Sequence, residues 1–136
     1  MLAGVGEDGD CPCGSGRAFG ACCGLLILRD QLPATAEALM RSRYCAYVQI
    51  NSRYLRESWH PSTRPAELLF DHFPAALWLG LKILSASAGG DTDLQGEVEF
   101  VARYKLGGKA FRLHEVSRFV KEDGRWFYLA GNILPR

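Results

Sequence analysis

Hydrophobic residues recur along this chain with two periods, and the change comes near residue 75. Before it the spacing is helical. Over 35–49, Ala36, Leu39, Met40, Tyr44, Tyr47 and Val48 return every three or four positions, which predicts an amphipathic helix. Thr35 is placed to cap it, and Glu37 falls in the first turn, where the helix dipole favours an acid. A second short helix is predicted over 51–59, capped by Asn51 or Ser52. His60-Pro61 ends it, because the residue before a proline is pushed out of the helical region. A third is predicted over 66–72, and 25–31 reads as an apolar connector with a helical turn.

After residue 75 the period is two, and strands are predicted over 78–87, 97–105, 109–121 and 126–130. The first places Leu77, Leu79, Leu81 and Ile83 on one face. The second does the same for Val98, Phe100, Ala102 and Tyr104, and the third for Phe111, Leu113, Glu115, Ser117 and Phe119. Gly107-Gly108 and Asp123-Gly124 are hairpin signals. Helices followed by an antiparallel meander predict an α+β fold, with helices packed on one face of a curved sheet, and not a doubly wound nucleotide fold.

A length of 136 residues sets one main domain, expected over 31–136, with a small appendage over 1–30. Hydrophobic residues make up 48% and charged residues 23%, which argues against disorder. The net charge of +1 gives no electrostatic case for nucleic acid. No apolar run approaches the roughly 20 residues that cross a bilayer, and the first residues show neither the positive nor the apolar region of a secretory signal. A cytoplasmic protein without a membrane partner is expected.

Residues 1–10 read as a mobile Gly- and acid-rich tail. The next fourteen, CPCGSGRAFGACCG, change the picture. Cys11, Cys13, Cys22 and Cys23 supply the four thiolates of a tetrahedral structural zinc site, and the intervening glycines let a short loop aim them at one point. A four-cysteine site is closed, so it stabilises structure and does not activate water. Nothing else in the segment offers a conventional core, so the metal is expected to fold it. Disulfides are disfavoured in a cytoplasmic chain, and vicinal bridges are strained. An iron–sulfur cluster has the ligand count but not this spacing. Four thiolates and one zinc ion carry −2, and Arg17 is the one base between the first and last cysteine, so the knuckle is expected to stay anionic. Cys45 falls opposite the apolar stripe of its helix and reads as a structural or surface cysteine, not a ligand.

The CPCGSGRAFGACCG segment resembles the SEC-C motif, also found at the C-terminus of the SecA translocation ATPase. The segments LMRSRYCAYV, YLRESWHP, WLGLKIL, VEFVARY, EVSRFV and GRWFYLAG resemble the YchJ family over nearly the whole chain. The resemblance implies a SEC-C zinc segment followed by a nuclear-transport-factor-two-like domain: a cone of helices around a bent sheet, often enclosing a pocket and often dimeric through the open sheet face. Many YchJ-like chains end in a second SEC-C segment, which is not seen here before Arg136. SEC-C segments are commonly lysine-rich where this one has Arg17-Ala18-Phe19-Gly20-Ala21, which weakens a nucleic-acid or ribosomal role.

Two charges interrupt the apolar pattern. Arg43 lies within the helical stripe, and Glu115 shares a face with Leu113 and Phe119. A buried charge is costly unless paired, so the two are expected to meet between helix and sheet, with Tyr47, Tyr104 or Ser117 completing the network. Trp59 is placed at the mouth of such a pocket, and His60 beside it is a candidate acid or base. His72 and His114 read as surface residues. No nucleophile motif, phosphate loop or dinucleotide fingerprint is present, so no catalytic residue is assigned. The function expected is a binding or adaptor protein. Its zinc knuckle recruits a protein partner, and its cone domain scaffolds the knuckle or binds a small ligand. The alternative is a small-molecule enzyme with Glu115 or His60 as general base.

Overall fold

The computed structural model describes residues 6–68 and 76–134. Helix α1 (Cys23–Ile27) follows a single 3-10 turn (Phe19–Ala21); α2 (Ala36–Val48) and α3 (Ser52–Glu57) come next. Strands β1 (Leu77–Ala88), β2 (Gln95–Leu106), β3 (Lys109–Glu122) and β4 (Arg125–Ile133) form one antiparallel sheet in chain order. This is the α+β arrangement that the two periods predict. The third predicted helix is not seen in its described part, since 66–67 is a bend and Leu68 has no regular structure; residues 69–72, His72 among them, lie outside the described residues.

Local chemistry sets the helix ends. Thr35 accepts a hydrogen bond from the Ala38 amide at 3.0 Å, and Asn51 accepts one from Tyr54 at 3.0 Å. Thr35→Ala is expected to cost about 1 kcal/mol, read as a fall in the denaturation midpoint with an unchanged m-value. The start of α2 also docks on the turn after β1, where the Ala36 amide donates to the Gly89 carbonyl at 3.0 Å. Ala36 comes so close that a Cβ on Gly89 would stand 2.8 Å from the Ala36 methyl, and Gly89 has φ of +77°. Only glycine meets both demands.

The sheet face under α2 is the core. Leu39, Met40 and Tyr44 pack on Val98, Phe100, Ala102, Phe119 and Trp126. Register follows from the Gly107-Gly108 turn, which pairs Tyr104 with Phe111, Ala102 with Leu113, Phe100 with Glu115 and Val98 with Ser117. The faces expected of β2 and β3 therefore hold. In β1 the expected face does not. Trp78, Leu81 and Ile83 turn to the core, while Leu77 is 64% and Leu79 44% exposed. A register irregularity between Trp78 and Gly80 slips the phase by one residue, and a one-residue slip exchanges the two faces.

Candidate functional site

The knuckle is strapped by the residues that precede it. The Phe19 amide donates to the Gly9 carbonyl at 2.8 Å, Gly20 donates to Glu7 at 2.9 Å, and Glu7 pairs with Arg29 at 2.8 Å. Residues 7–10 are thus a brace and not the mobile tail expected of them. Within the loop the Cys11 amide donates to the Arg17 carbonyl at 2.9 Å, and Gly14 and Gly16 take positive φ at the bends. Phe19 is buried among the sulfurs and supplies the small core that the composition hides.

Cys11, Cys13, Cys22 and Cys23 are all buried, and their sulfurs lie within 4.8 Å of one another. Cys13 Sγ is 3.7 Å from Cys22 Sγ, which is 4.0 Å from Cys23 Sγ. A Zn–S bond of about 2.3 Å sets tetrahedral S–S edges of about 3.8 Å. The four sulfurs therefore fit one small divalent ion. As thiols they crowd one another. Hydrogen bonds from Cys11, then Cys23 and Cys45, hold Cys13 far below the usual thiol range. Contacts with Cys11 and then Cys13 push Cys23 and Cys45 up, and burial pushes Cys22 up. A cation that replaces these shared protons removes the conflict.

Two expectations about this cluster change. Cys45 is neither exposed nor remote: its accessibility is 0%, and its sulfur lies 3.5 Å from Cys11 Sγ. The knuckle docks on the very face of α2 that lies opposite the apolar stripe. The expected anionic character is also offset. Arg41, one turn before Cys45, donates from Nη1 to the Cys13 carbonyl at 2.8 Å and lies 3.8 Å from Cys13 Sγ. Arg17 Nη2 lies 3.6 Å from Cys22 Sγ. Two guanidinium groups thus face the charge that a metal tetrathiolate would carry.

The second set of candidates divides into three places. Arg43 is buried, but it does not pair with Glu115. Its Nη1 donates to the Leu55 carbonyl at 2.9 Å and to Ser58 Oγ at 2.7 Å, and its guanidinium lies over the rings of Tyr128 at 4.5 Å and Trp59 at 5.0 Å. Carbonyl dipoles and π-faces take the place of a carboxylate. Burial pushes the guanidinium down from its usual range, and the surrounding tyrosines with Glu115 push it back up. Glu115, half-buried, accepts from Ser117 Oγ at 2.7 Å, and Tyr128 Oη lies 3.5 Å away. Its carboxylate fills the space over Gly131 that a side chain there would need.

Tyr104 stands apart from Arg43, stacked on Phe111 at 5.4 Å and tilted on Trp78 at 5.1 Å, with Tyr47 on the other side of Trp78 at 5.8 Å. His60 is half-buried beside the β3–β4 turn. Its Nδ1 takes the Ser62 amide at 3.1 Å, its Nε2 meets Glu122 at 2.9 Å, and its backbone amide donates to Tyr128 at 2.8 Å. These bonds hold the His60-Pro61 turn against β4. His114 meets Glu99 at 2.7 Å on the outer sheet face. Tyr128 and Ser58, which carry the Arg43 site, give no signal in the sequence, because a strand aromatic and a helix-end serine have ordinary structural uses.

The knuckle and the sheet together decide the relationship. A family model described as the YchJ middle NTF2-like domain matches residues 35–131, and the SEC-C motif matches 10–25. The chain belongs to the YchJ family. A YchJ-like relative in Chromobacterium violaceum, a UPF0225 protein, is 53% identical over 123 residues, covering 89% of this chain and 90% of that protein. Another, in Cupriavidus pinatubonensis, is 52% identical, covering 91% and 88%. Among solved structures, a SEC-C motif containing protein from Rhodopseudomonas palustris is 36% identical with a TM-score of 0.77, covering 92% of this chain and 98% of that one. One from Psychrobacter arcticus, at 23% identity and a TM-score of 0.74, shares the fold over 100% of this chain and 87% of that one. Among the described residues no helix is long and apolar enough to cross a membrane.

Proposed function

We propose that this YchJ-like protein is a cytoplasmic adaptor whose zinc-stabilised knuckle recruits a protein partner. The observation that carries the reading is the closure of the thiol cluster. All four sulfurs are buried and face one another, so the set offers an ion no open position, and the metal's work is structural. What such an ion shapes is a surface. Gly14, Gly16, Arg17 and Ala21 are exposed on the loop, and Leu28 and Leu32 are 53% and 56% exposed beside it. An exposed arginine beside two apolar side chains suits a protein partner with an acidic and an apolar contact.

The test is capture from lysate of the protein's own host, with the zinc-loaded chain and a Cys22→Ala/Cys23→Ala variant as baits. Loss of one specific prey with the variant is expected, while the sheet of the variant remains folded by circular dichroism. Equal capture by both would remove the knuckle from recruitment. Native mass measurement of the bait reports zinc and any association of two copies at once.

A second reading, ligand binding in the cone domain, has its own observation. Trp59 Nε1 is buried without an acceptor among the described residues, next to the Arg43 guanidinium. An orphaned donor beside a cation suits a small molecule bearing an acceptor or anionic group. A mass shift in the native spectrum that Trp59→Phe abolishes would support it, and an unliganded wild-type mass would count against it.

A further inference from the structure

We propose that the metal centre has two interchangeable fourth ligands, and that Cys45 of α2 is the second. The proposal rests on the zinc reading of the knuckle and adds a ligand from outside it. Cys11, Cys13 and Cys23 are common to both sets. Cys45 Sγ is 3.5 Å from Cys11 Sγ and also contacts the sulfurs of Cys13 and Cys23. Cys22 lies against the same three, at 3.7 Å from Cys13 and 4.0 Å from Cys23 and within 4.8 Å of Cys11. Three sulfurs are therefore common to two four-sulfur sets, and the Cys45–Cys11 spacing of 3.5 Å and the Cys22–Cys13 spacing of 3.7 Å are both close to the edge that a tetrahedral thiolate site needs.

The two fourth positions differ in setting. Cys45 has no accessible surface, and Ile27 and Leu81 pack against the cluster it joins. Cys22, at 6%, is the most accessible of the five, and it lies against Ser15 Oγ at 3.2 Å and Arg17 Nη2 at 3.6 Å, both near solvent. Helix α2 is held in place for the exchange. Arg41 stands one turn before Cys45 on the same face, and its bond to the Cys13 carbonyl fixes the helix to the loop. In the exchange the Zn–S bond to Cys22 breaks and one to Cys45 forms. The proton released by the Cys45 thiol is matched by one taken up by the Cys22 thiolate. Zinc stays divalent and four-coordinate, and no electrons move. In the second state the ion joins the knuckle directly to α2, and Cys22 is free at the rim. The centre then tolerates chemical loss of its most accessible ligand.

The test uses the full chain loaded with cobalt(II), whose thiolate absorption reports how many sulfurs are bound. Cys22→Ser and Cys45→Ser are each expected to keep the four-thiolate spectrum at one metal per chain, and Cys22→Ser/Cys45→Ser to lose it. If either single variant shows the spectrum of the double, the proposal is overturned. Wild-type protein loaded with zinc gives a second readout that does not depend on any variant folding. Limiting alkylation is expected to place the first adduct on Cys22 with zinc retained in the native mass spectrum. A first adduct found only on zinc-free chains would equally overturn it. Wild-type protein that takes up no metal at all would overturn the zinc reading itself, a result visible before any variant is compared.

Discussion

Cys13→Ala is expected to unfold the knuckle and leave the sheet standing. Cys13 is fully buried, its sulfur touches those of Cys11, Cys22, Cys23 and Cys45, and its carbonyl holds Arg41. Only Cys23 shares as many sulfur contacts, and Cys13 belongs to either ligand set. The apolar material around it is slight: Phe19, Ile27 and Leu81. Burial of one such side chain is worth about 2 kcal/mol, against roughly 10–16 kcal/mol for a structural zinc ion. Loss of the ion should therefore outweigh everything else that holds residues 7–28. Hydrogen exchange is the direct measure. The amides of Cys11, Phe19, Gly20, Cys22 and Leu25, all bonded within the segment, should lose protection by at least ~100-fold, the ratio that about 2.7 kcal/mol of lost binding gives. Amides of the β2–β3 ladder should keep theirs. Unchanged protection over 11–25 would show that packing, and not metal, shapes the loop.

What the sequence shows of this fold and what it hides have physical reasons. The β2–β3 pairing is legible because a two-residue Gly107-Gly108 turn leaves one register, and that register aligns two alternating patterns. The faces of β1 are not legible, because a bulge changes the phase of alternation without changing the composition. Arg43 is visible as a charge inside an apolar stripe, yet its partners are a backbone carbonyl, a serine hydroxyl and two ring faces, none of which carries a charge to search for. Cys45 reads as remote from the cluster only if a helix has one buried face. Helix α2 has three: Leu39, Met40 and Tyr44 toward the sheet, Ser42 and Arg43 toward α3, and Arg41 with Cys45 toward the knuckle. The four ligand-type cysteines are legible because their chemistry is local, thirteen residues from first to last. Their neighbours Arg41 and Cys45 come from a distant element and needed the fold.

Arg43→Ala is expected to be the costliest change away from the knuckle. The side chain is buried at the junction of α2, α3 and β4. Truncation leaves a cavity, strips the Leu55 carbonyl of its Arg43 donor and removes the cation from between Tyr128 and Trp59, a sum of about 3–5 kcal/mol. For a chain of this size the loss lowers Tm by roughly 10 °C. The same variant decides how the two interior charges relate. Glu115 bonds Ser117 and lies near the Tyr128 hydroxyl, while Arg43 covers the Tyr128 ring, so the link between the charges passes through a shared tyrosine and not through a salt bridge. A cycle of Arg43→Ala, Glu115→Gln and the double variant should then give a coupling below about 1 kcal/mol. A coupling near ~3 kcal/mol is what a direct buried pair produces, and that value would restore the contact that the sequence pattern predicts and the structure replaces.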